Sequence, residues 1–298
     1  MKSGFVSIVG RPNAGKSTLL NRIIGTKVAI VSDKPQTTRN RILAVRNAPA
    51  GQIVFIDTPG IHRPLHRMNV RMVDMALESV REVDVVLLLV DASEPSGKGD
   101  RFVLDLLKDA KIPVVLALNK IDVIRKSRLL PKIDAYRTEH EFAAIVPISA
   151  LSGDGVDLLE QELFAQLPEG EALYPDDYLT DQPERVFAAE IVREKLLRHT
   201  RDELPFTTAV VVDSFEEAPK GGLMRLYCSI IVDQESQKPI VIGRRGDMIK
   251  RIGTEARQDL ERFFGTRVFL DLHVKVRTDW RDDDHLLDEM GMGRTRGR

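Results

Sequence analysis

Eight residues near the start constrain this chain more than any others. The run GRPNAGKS, Gly10 to Ser17, fits the pattern G-x-x-x-x-G-K-[ST]. It follows the strand-like FVSIV and opens a segment with helical spacing, Lys16 to Ile24. Glycines let the backbone curl so that successive N–H groups point inward, and the N-terminus of the following helix adds positive potential. A turn of this kind binds a chain of phosphates. The binding set is Gly10, Arg11, Pro12, Asn13, Ala14 and Gly15, with Lys16, Ser17 and Thr18 opening the helix. Lys16 is placed to reach the β- and γ-phosphates, and Ser17 to ligate Mg2+.

The alternation continues. Strands RILAVRN, QIVFIDT, VDVVLLLVDA, PVVLALN and AAIVPISA are interleaved with the helical segments RMVDMALESVREV, VLDLLKDA, SRLLPKIDAYRTEHEF and GVDLLEQELFAQL. This implies an α/β fold on a mainly parallel sheet with helices on both faces. VDVVLLLVDA is continuously apolar, as expected of a strand covered on both sides, and falls far short of the roughly 20 residues that span a membrane.

At 298 residues the chain has room for two domains. After the proline- and acid-rich PEGEALYPDDYLTDQPE the order changes to α-β-β-α-α-β. The expected division is a nucleotide domain over 1–168, an ordered linker over 169–184, a second domain over 185–281 and a flexible tail over 282–298 ending GRTRGR. Net charge is −1, so any site for a polyanion has to be local. The single cysteine, Cys228 in RLYCSIIVD, cannot form an intramolecular disulfide. It reads as a buried strand residue, and a reducing cytoplasm is the natural setting. His199, His273 and His285 are scattered without metal-ligand spacing.

Further motifs follow predicted strands. In NKID, Asn119, Lys120 and Asp122 suit a guanine base. A carboxylate at Asp122 accepts from guanine N1–H and its exocyclic amine, whereas adenine leaves it unpaired. Asn119 can tie this loop to the phosphate loop, and the Lys120 stem can cover the ring. In SAL (Ser149, Ala150, Leu151), the Ala150 N–H can face guanine O6. In DTPG, Asp57 is the carboxylate on the Mg2+ side and Gly60 can donate its N–H to the γ-phosphate. SDKPQTTRNR, Ser32 to Arg41, holds two threonines. One can close over Mg2+ when the γ-phosphate is present, and the residues alone leave Thr37 and Thr38 both open.

A second glycine-bracketed loop lies in VIGRRGDMIKRIG, Val241 to Gly253. It lacks G-K-[ST], so it is not another nucleotide loop. Gly243 and Gly246 flank Arg244 and Arg245, and Lys250 and Arg251 follow on a helix whose Ile249, Ile252, Ala256, Leu260 and Phe263 have helical spacing. Such a loop admits an extended phosphodiester backbone and meets its phosphates with arginine. This is the KH clamp, which holds about four single-stranded nucleotides. Ile242, Ile249 and Ile252 are candidates for the apolar groove, with core packing the expected fate of Ile252. No aromatic residue adjoins the loop, so base stacking is expected to matter less than groove shape.

Taken together, GRPNAGKS, PQTTR, DTPG, NKID and SAL resemble a translation-factor-class GTPase. With the second domain, the YPDDYLTDQPE linker and WRDDD, nearly the whole chain resembles the Era family of bacterial ribosome-assembly GTPases. The resemblance implies a P-loop NTPase G domain followed by an α+β type II KH domain. It implies hydrolysis of GTP to GDP and phosphate, with Lys16, Thr38, Asp57 and Gly60 at the chemistry. Ser17, Thr38 and Asp57 would hold Mg2+, with Thr38 as the switch threonine. The implied partners are the 3′ end of 16S rRNA and the 30S subunit, for a cytoplasmic monomer. Peripheral contact with the inner face of the cell membrane stays open, since no amphipathic basic helix is clear enough to assert it. Two features are particular. Ile61 stands where small signalling GTPases place a water-orienting glutamine. Asn13 stands where related GTPases hold K+ near the phosphates. NKID with SAL argues against a metabolic kinase, and a signalling or membrane-surface GTPase whose second domain binds protein predicts no RNA binding and no effect of charge reversal at Arg244 and Arg245.

Overall fold

The computed structural model describes residues 1–60, 66–95, 97–108, 111–217 and 222–292. The chain divides between Asp181 and Gln182 into two compact units, residues 66–68 grouping with the second.

In the first unit, β1 (Lys2–Val9) leads into α1 (Lys16–Ile24). There follow β2 (Ile42–Ala48), β3 (Gly51–Asp57), α2 (Arg67–Arg81), β4 (Val85–Asp91), α3 (Lys98–Leu107) and β5 (Val114–Asn119). The unit closes with α4 (Leu129–Glu139), β6 (Ala144–Pro147) and α5 (Val156–Gln166). The sheet order is β2-β3-β1-β4-β5-β6. Only β2 runs antiparallel, against β3. Alternate residues of each strand enter opposite cores: Val85, Leu87 and Leu89 go to one, and Val86, Leu88 and Val90 to the other. This double burial explains the continuous apolar run of β4. β1 lies between β3 and β4, so the chain leaves it in opposite directions, and the crevice beyond its carboxyl end is where such sheets bind ligands.

Residues 169–181 are strapped along the β2 side of this sheet. Gln52, fully buried, accepts from the N–H groups of Leu173 (2.7 Å) and Tyr174 (3.0 Å) and donates to the Tyr174 carbonyl (2.8 Å). Val45 donates its N–H to the Leu179 carbonyl at 3.0 Å. The Thr180 hydroxyl donates to the Leu43 carbonyl at 2.6 Å, and Asp181 accepts from the Leu43 N–H at 3.2 Å. Tyr174 and Tyr178 pack on Leu43, Val45 and Val54.

The second unit comprises α6 (Glu184–His199), α7 (Leu204–Thr207), β7 (Thr208–Glu216), β8 (Leu223–Val232), α8 (Lys238–Ile242), α9 (Asp247–Phe264), β9 (Arg267–Val276) and α10 (Asp284–Glu289). Its sheet order is β7-β8-β9, antiparallel then parallel, so β9 is an edge. Helix α9 packs on α6 and β9, with the Phe187 and Phe263 rings 4.0 Å apart. Ile252, Ala256 and Leu260 are fully buried, as is Cys228, whose thiol burial pushes up to about 12.

The expected flexible tail is instead folded as far as Met292. Trp280 is completely buried and donates its indole N–H to the Thr207 carbonyl at 2.9 Å. Asp283 caps α10 by accepting from the N–H groups of His285 and Leu286, and Leu286, Leu287 and Met292 are buried. The sparse apolar residues here are spaced for one short turn of helix, and the surrounding charges mask them in the sequence. GRTRGR lies outside the described residues. Among the described residues no helix is long and apolar enough to cross a membrane.

Candidate functional site

The parallel strands deliver the motifs to one end of the first sheet. After β1 the phosphate loop turns tightly at Gly15, with φ 99°, where a Cβ would lie 2.3 Å from the Asn119 amide nitrogen. Lys16 is buried across the loop, its ammonium donating to the carbonyls of Gly10 and Arg11, both at 3.1 Å. Burial lowers its pKa to about 8, against the attraction of Asp57.

Ser17, Thr38 and Asp57 converge. The Ser17 hydroxyl donates to Asp57 Oδ2 at 2.8 Å and lies 2.8 Å from Thr38 Oγ1. The Thr37 hydroxyl donates to the Lys34 carbonyl at 2.6 Å, so Thr38 is the threonine whose hydroxyl meets Ser17, while Thr37 lines the same pocket. Asp57 is raised to about 6 by burial, against the opposing pull of Lys16 and of hydrogen bonds from Ser17, Thr38 and the Thr58 backbone. Its second oxygen, Oδ1, is buried without a hydrogen-bond partner among the described residues. A buried carboxylate with a spare oxygen, beside two hydroxyls, is a fitting donor set for a hard divalent cation such as Mg2+. Gly60 lies against Pro12, where a Cβ would come within 2.7 Å of the Pro12 nitrogen. Pro12, Asn13, Lys16, Ser17, Thr38 and Gly60 line one pocket with the loop.

Other expected residues are placed differently. The Arg11 side chain leaves the loop to pair with Asp100 (3.2 Å) and Glu94 (3.3 Å), so only its backbone faces the phosphate position. Asn13 has φ 63° and donates its amide to the Asp33 carbonyl at 2.8 Å, tying the loop to the start of the threonine segment. Thr18 is half-buried at the start of α1. Ile61 lies outside the described residues.

At the base end, Asn119 donates to the Ala14 carbonyl at 2.8 Å and accepts from the Ala150 N–H at 2.9 Å. It joins three motifs. The Ala150 N–H, expected to face guanine O6, donates here to the amide oxygen of Asn119, because the two loops meet. Lys120 adopts φ 67° and pairs with Asp91 at the end of β4. Asp122 and Leu151 are exposed, whereas Ser149 is buried and accepts from the Ser152 N–H at 3.1 Å. Two supporting residues were not anticipated. Arg22 of α1 donates to the Ala150 carbonyl at 3.3 Å and to that of Leu151. Asn21 accepts from the N–H groups of Val28 and Ala29, each at 2.9 Å. Both are ordinary polar helix residues with no local pattern to mark them.

The second loop is equally specific in its backbone. Gly243 has φ 76°, and a Cβ there would meet Met248 at 2.6 Å. Arg245 has φ 55° and Gly246 φ 81°, while a Cβ at Gly246 would point into open space. Arg244 and Arg245 are exposed, as are Lys250 and Arg251, the latter 3.7 Å from Glu255. Glu255 also receives His199 at 2.9 Å. Ile252 is core, Ile242 is half-buried, and Ile249 lines a groove of about 530 Å3 together with Lys250, Arg257, Phe269 and Leu272. No aromatic residue adjoins the loop in sequence, but one lines the groove. Phe269 comes from β9, across the fold and remote from the loop in sequence.

Residues 5–120 match the family described as 50S ribosome-binding GTPase, and residues 203–281 match the KH domain family. The GTPase Era of Geobacter metallireducens is 53% identical over 290 residues, covering 97% of each chain. The chain belongs to the Era family of GTPases. Its Heliobacterium modesticaldum relative is 47% identical over 291 residues, 98% of this chain and 97% of that one. Among solved Era structures, a variant from Aquifex aeolicus bound to GDP·AlF4− superposes with a TM-score of 0.94 at 44% identity, over 98% of this chain and 100% of that one. Another, in complex with MgGDPNP and nucleotides 1506–1542 of 16S ribosomal RNA, does so with a TM-score of 0.95 at 44% identity, over 98% and 99% of the two chains. The fold is accordingly the family's mainly parallel GTPase sheet followed by a KH domain.

Proposed function

We propose that the chain is a GTP-hydrolysing switch that acts in small-subunit assembly by clamping the single-stranded 3′ end of 16S rRNA. The observation that carries the switch reading is the meeting of Ser17, Thr38 and Asp57 at the phosphate loop. It makes the segment carrying Thr38 responsive to what the loop holds. The RNA reading is supported by the Gly243–Gly246 loop and by the Era relative crystallised with 16S RNA.

In this reading the backbone N–H groups of Asn13 to Thr18 cradle the phosphates, and the Lys16 ammonium exchanges its two carbonyl partners for β- and γ-oxygens. Ser17, Thr38 and Asp57 hold Mg2+. Bound there, the cation neutralises charge developing on the transferred phosphoryl group. Gly60 donates to a γ-oxygen. Water attacks in line, with stabilisation by fixed donors carrying most of the rate. Asn13, already at the rim, is the candidate K+ ligand, and hydrolysis faster in K+ than in Na+ salts is the expected sign. Asp122 reads guanine, Lys120 covers its ring, and the Ala150 N–H is shared between Asn119 and O6. Loss of the γ-phosphate frees Thr38 and releases its segment. The protein works as a monomer in the cytoplasm, with the nucleotide domain preceding the KH domain.

The deciding experiment measures affinity for a 16S 3′-end oligonucleotide with a GTP analogue, with GDP and without nucleotide, repeated for Gly246→Asp. The added carboxylate collides with nothing and repels phosphate, and at φ 81° a side chain also strains the loop backbone, so both effects act against the clamp. RNA affinity should depend on the nucleotide and fall at least tenfold in the variant, with GTP hydrolysis retained. Affinity indifferent to both would overturn the switch and the clamp together.

A further inference from the structure

The phosphate-loop pattern fixes two glycines, a lysine and a serine, and leaves Arg11 unspecified. Pro12, which follows it, has no N–H and disfavours helical backbone in the residue before it. The Arg11–Pro12 peptide therefore brings an acceptor and no donor into a cradle built of donors. Its carbonyl accepts from Lys16 Nζ at 3.1 Å and from the Ala14 N–H at 3.4 Å. Pro12 is also the seat of Gly60, where a Cβ would stand 2.7 Å from the Pro12 nitrogen and 2.8 Å from its Cα. Lys16 and the Gly60 N–H, both read above as meeting the γ-phosphate, thus rest on this one peptide. Its carbonyl would repel a phosphate it faced, so the angle of the peptide matters as much as its place.

What sets that angle lies outside the loop. The Arg11 guanidinium reaches the first turn of α3, where its Nη1 lies 3.2 Å from Asp100 Oδ2. The Asp100 side chain is 6% exposed, and the same oxygen accepts the Gly97 N–H at 3.0 Å, so the start of the helix fixes its position. Glu94, 3.3 Å from Arg11, is more than half exposed and adds little. The second residue of α3 is a glycine lying against the guanidinium, since a Cβ at Gly99 would come within 2.9 Å of Arg11 Nε. With its charge already paired, the guanidinium is an anchor and not a phosphate ligand.

We propose that Arg11 is a positioning residue for hydrolysis, anchored on Asp100 so that the Arg11–Pro12 peptide presents Lys16 and Gly60 to the γ-phosphate. The N–H groups of Asn13 to Thr18 lie beyond this peptide and meet the other phosphates, so GDP binding depends on the anchor less than turnover does. This rests on the reading of the phosphate site above and adds to it a side-chain pair from outside the loop.

The test uses the full chain with Arg11→Ala, Arg11→Lys, Asp100→Asn and the double variant Arg11→Ala/Asp100→Asn. Single-turnover hydrolysis gives the rate at saturating GTP, and titration gives the affinity for GDP. Arg11→Ala should slow hydrolysis by between about tenfold and a hundredfold, with GDP affinity changed by less than about threefold. GDP·AlF4−, which stands in for the phosphoryl group in transfer, should be bound by the parent and not by Arg11→Ala. Arg11→Lys keeps a donor for Asp100 and should recover most of the rate. Asp100→Asn leaves an oxygen for the Gly97 N–H but removes the charge, and its rate should fall between those of the parent and Arg11→Ala. The double variant should be no slower than Arg11→Ala alone, as for residues acting as one unit. The parent rate in Arg11→Ala, equal losses in GDP affinity and in hydrolysis, or losses that multiply in the double variant would overturn the proposal. Should Arg11→Ala fail to fold, Asp100→Asn decides: slowed hydrolysis with GDP affinity kept supports the anchor, and the parent rate overturns it. A parent chain that does not hydrolyse GTP overturns the reading of the phosphate site itself, which separates the two.

Discussion

Asp57 keeps its proton to about pH 6 because burial outweighs Lys16 and the hydroxyls around it. Between the ordinary carboxylate value of 3.8 and about 6, the folded chain holds a proton that the unfolded chain has lost. This contribution to stability therefore declines as pH rises across that window and is level above it. Lys16 has the opposite slope. Its lowered value, about 8 against 10.5, makes the nucleotide-free fold gain stability as pH rises between the two. A carboxylate must be ionised to hold a metal, so Mg2+ uptake below about pH 6 releases a proton. Mg2+-dependent affinity for a GTP analogue should fall about tenfold per pH unit below that point. A titration flat from pH 7 to 5 would refute this. Asn119 supports the site differently, by bonding to two other loops. Asn119→Ala leaves the buried Ala14 carbonyl and Ala150 N–H without it, a cost of about 1–3 kcal/mol for each group. Equilibrium titration should show nucleotide affinity reduced tenfold or more.

At the scale of elements, legibility followed burial pattern. The strands of the first sheet read clearly because double burial writes an uninterrupted apolar run, as in β4. Motifs at strand ends are legible as one site because parallel strands deliver their carboxyl ends to one side. The strap over residues 169–181 did not read that way. Its prolines and acids look like a spacer, and its anchors, Tyr174 and Tyr178, follow no period. What holds it is Gln52, on another strand. Gln52→Ala would leave the N–H groups of Leu173 and Tyr174 without this partner, about 1–3 kcal/mol of local stability for each. Limited proteolysis should then cut within the strap much faster than in the parent, while β2 and β3 stay protected. Helix α10 escaped notice for a related reason, since six residues are too few to show periodicity. Phe269 was missed because β9 alternates without showing which side faces a groove.

For the whole molecule, the family resemblance and the physical reading agree on two cores and on Asn119 tying its loop to the phosphate loop, but they do not contain the other tertiary hydrogen bonds that set the site. Arg22 on the SAL carbonyls and Asn119 on Ala150 join residues more than 30 positions apart, and no local rule writes them. Independence of the two cores has a measurable form. Mg2+·GDP at about a hundred times its Kd should stabilise the first unit by about 2.7 kcal/mol. Circular dichroism, which sees both units, should then show part of its denaturation curve displaced. Trp280 is the only tryptophan in the chain and lies in the second unit, fully buried. Its emission midpoint should stay in place, and a joint shift would mean that the units unfold as one. The same indole hydrogen bond that closes the carboxyl end of the fold thus installs an optical probe in one half of the molecule, with no label to attach and no second fluorophore of its kind to subtract.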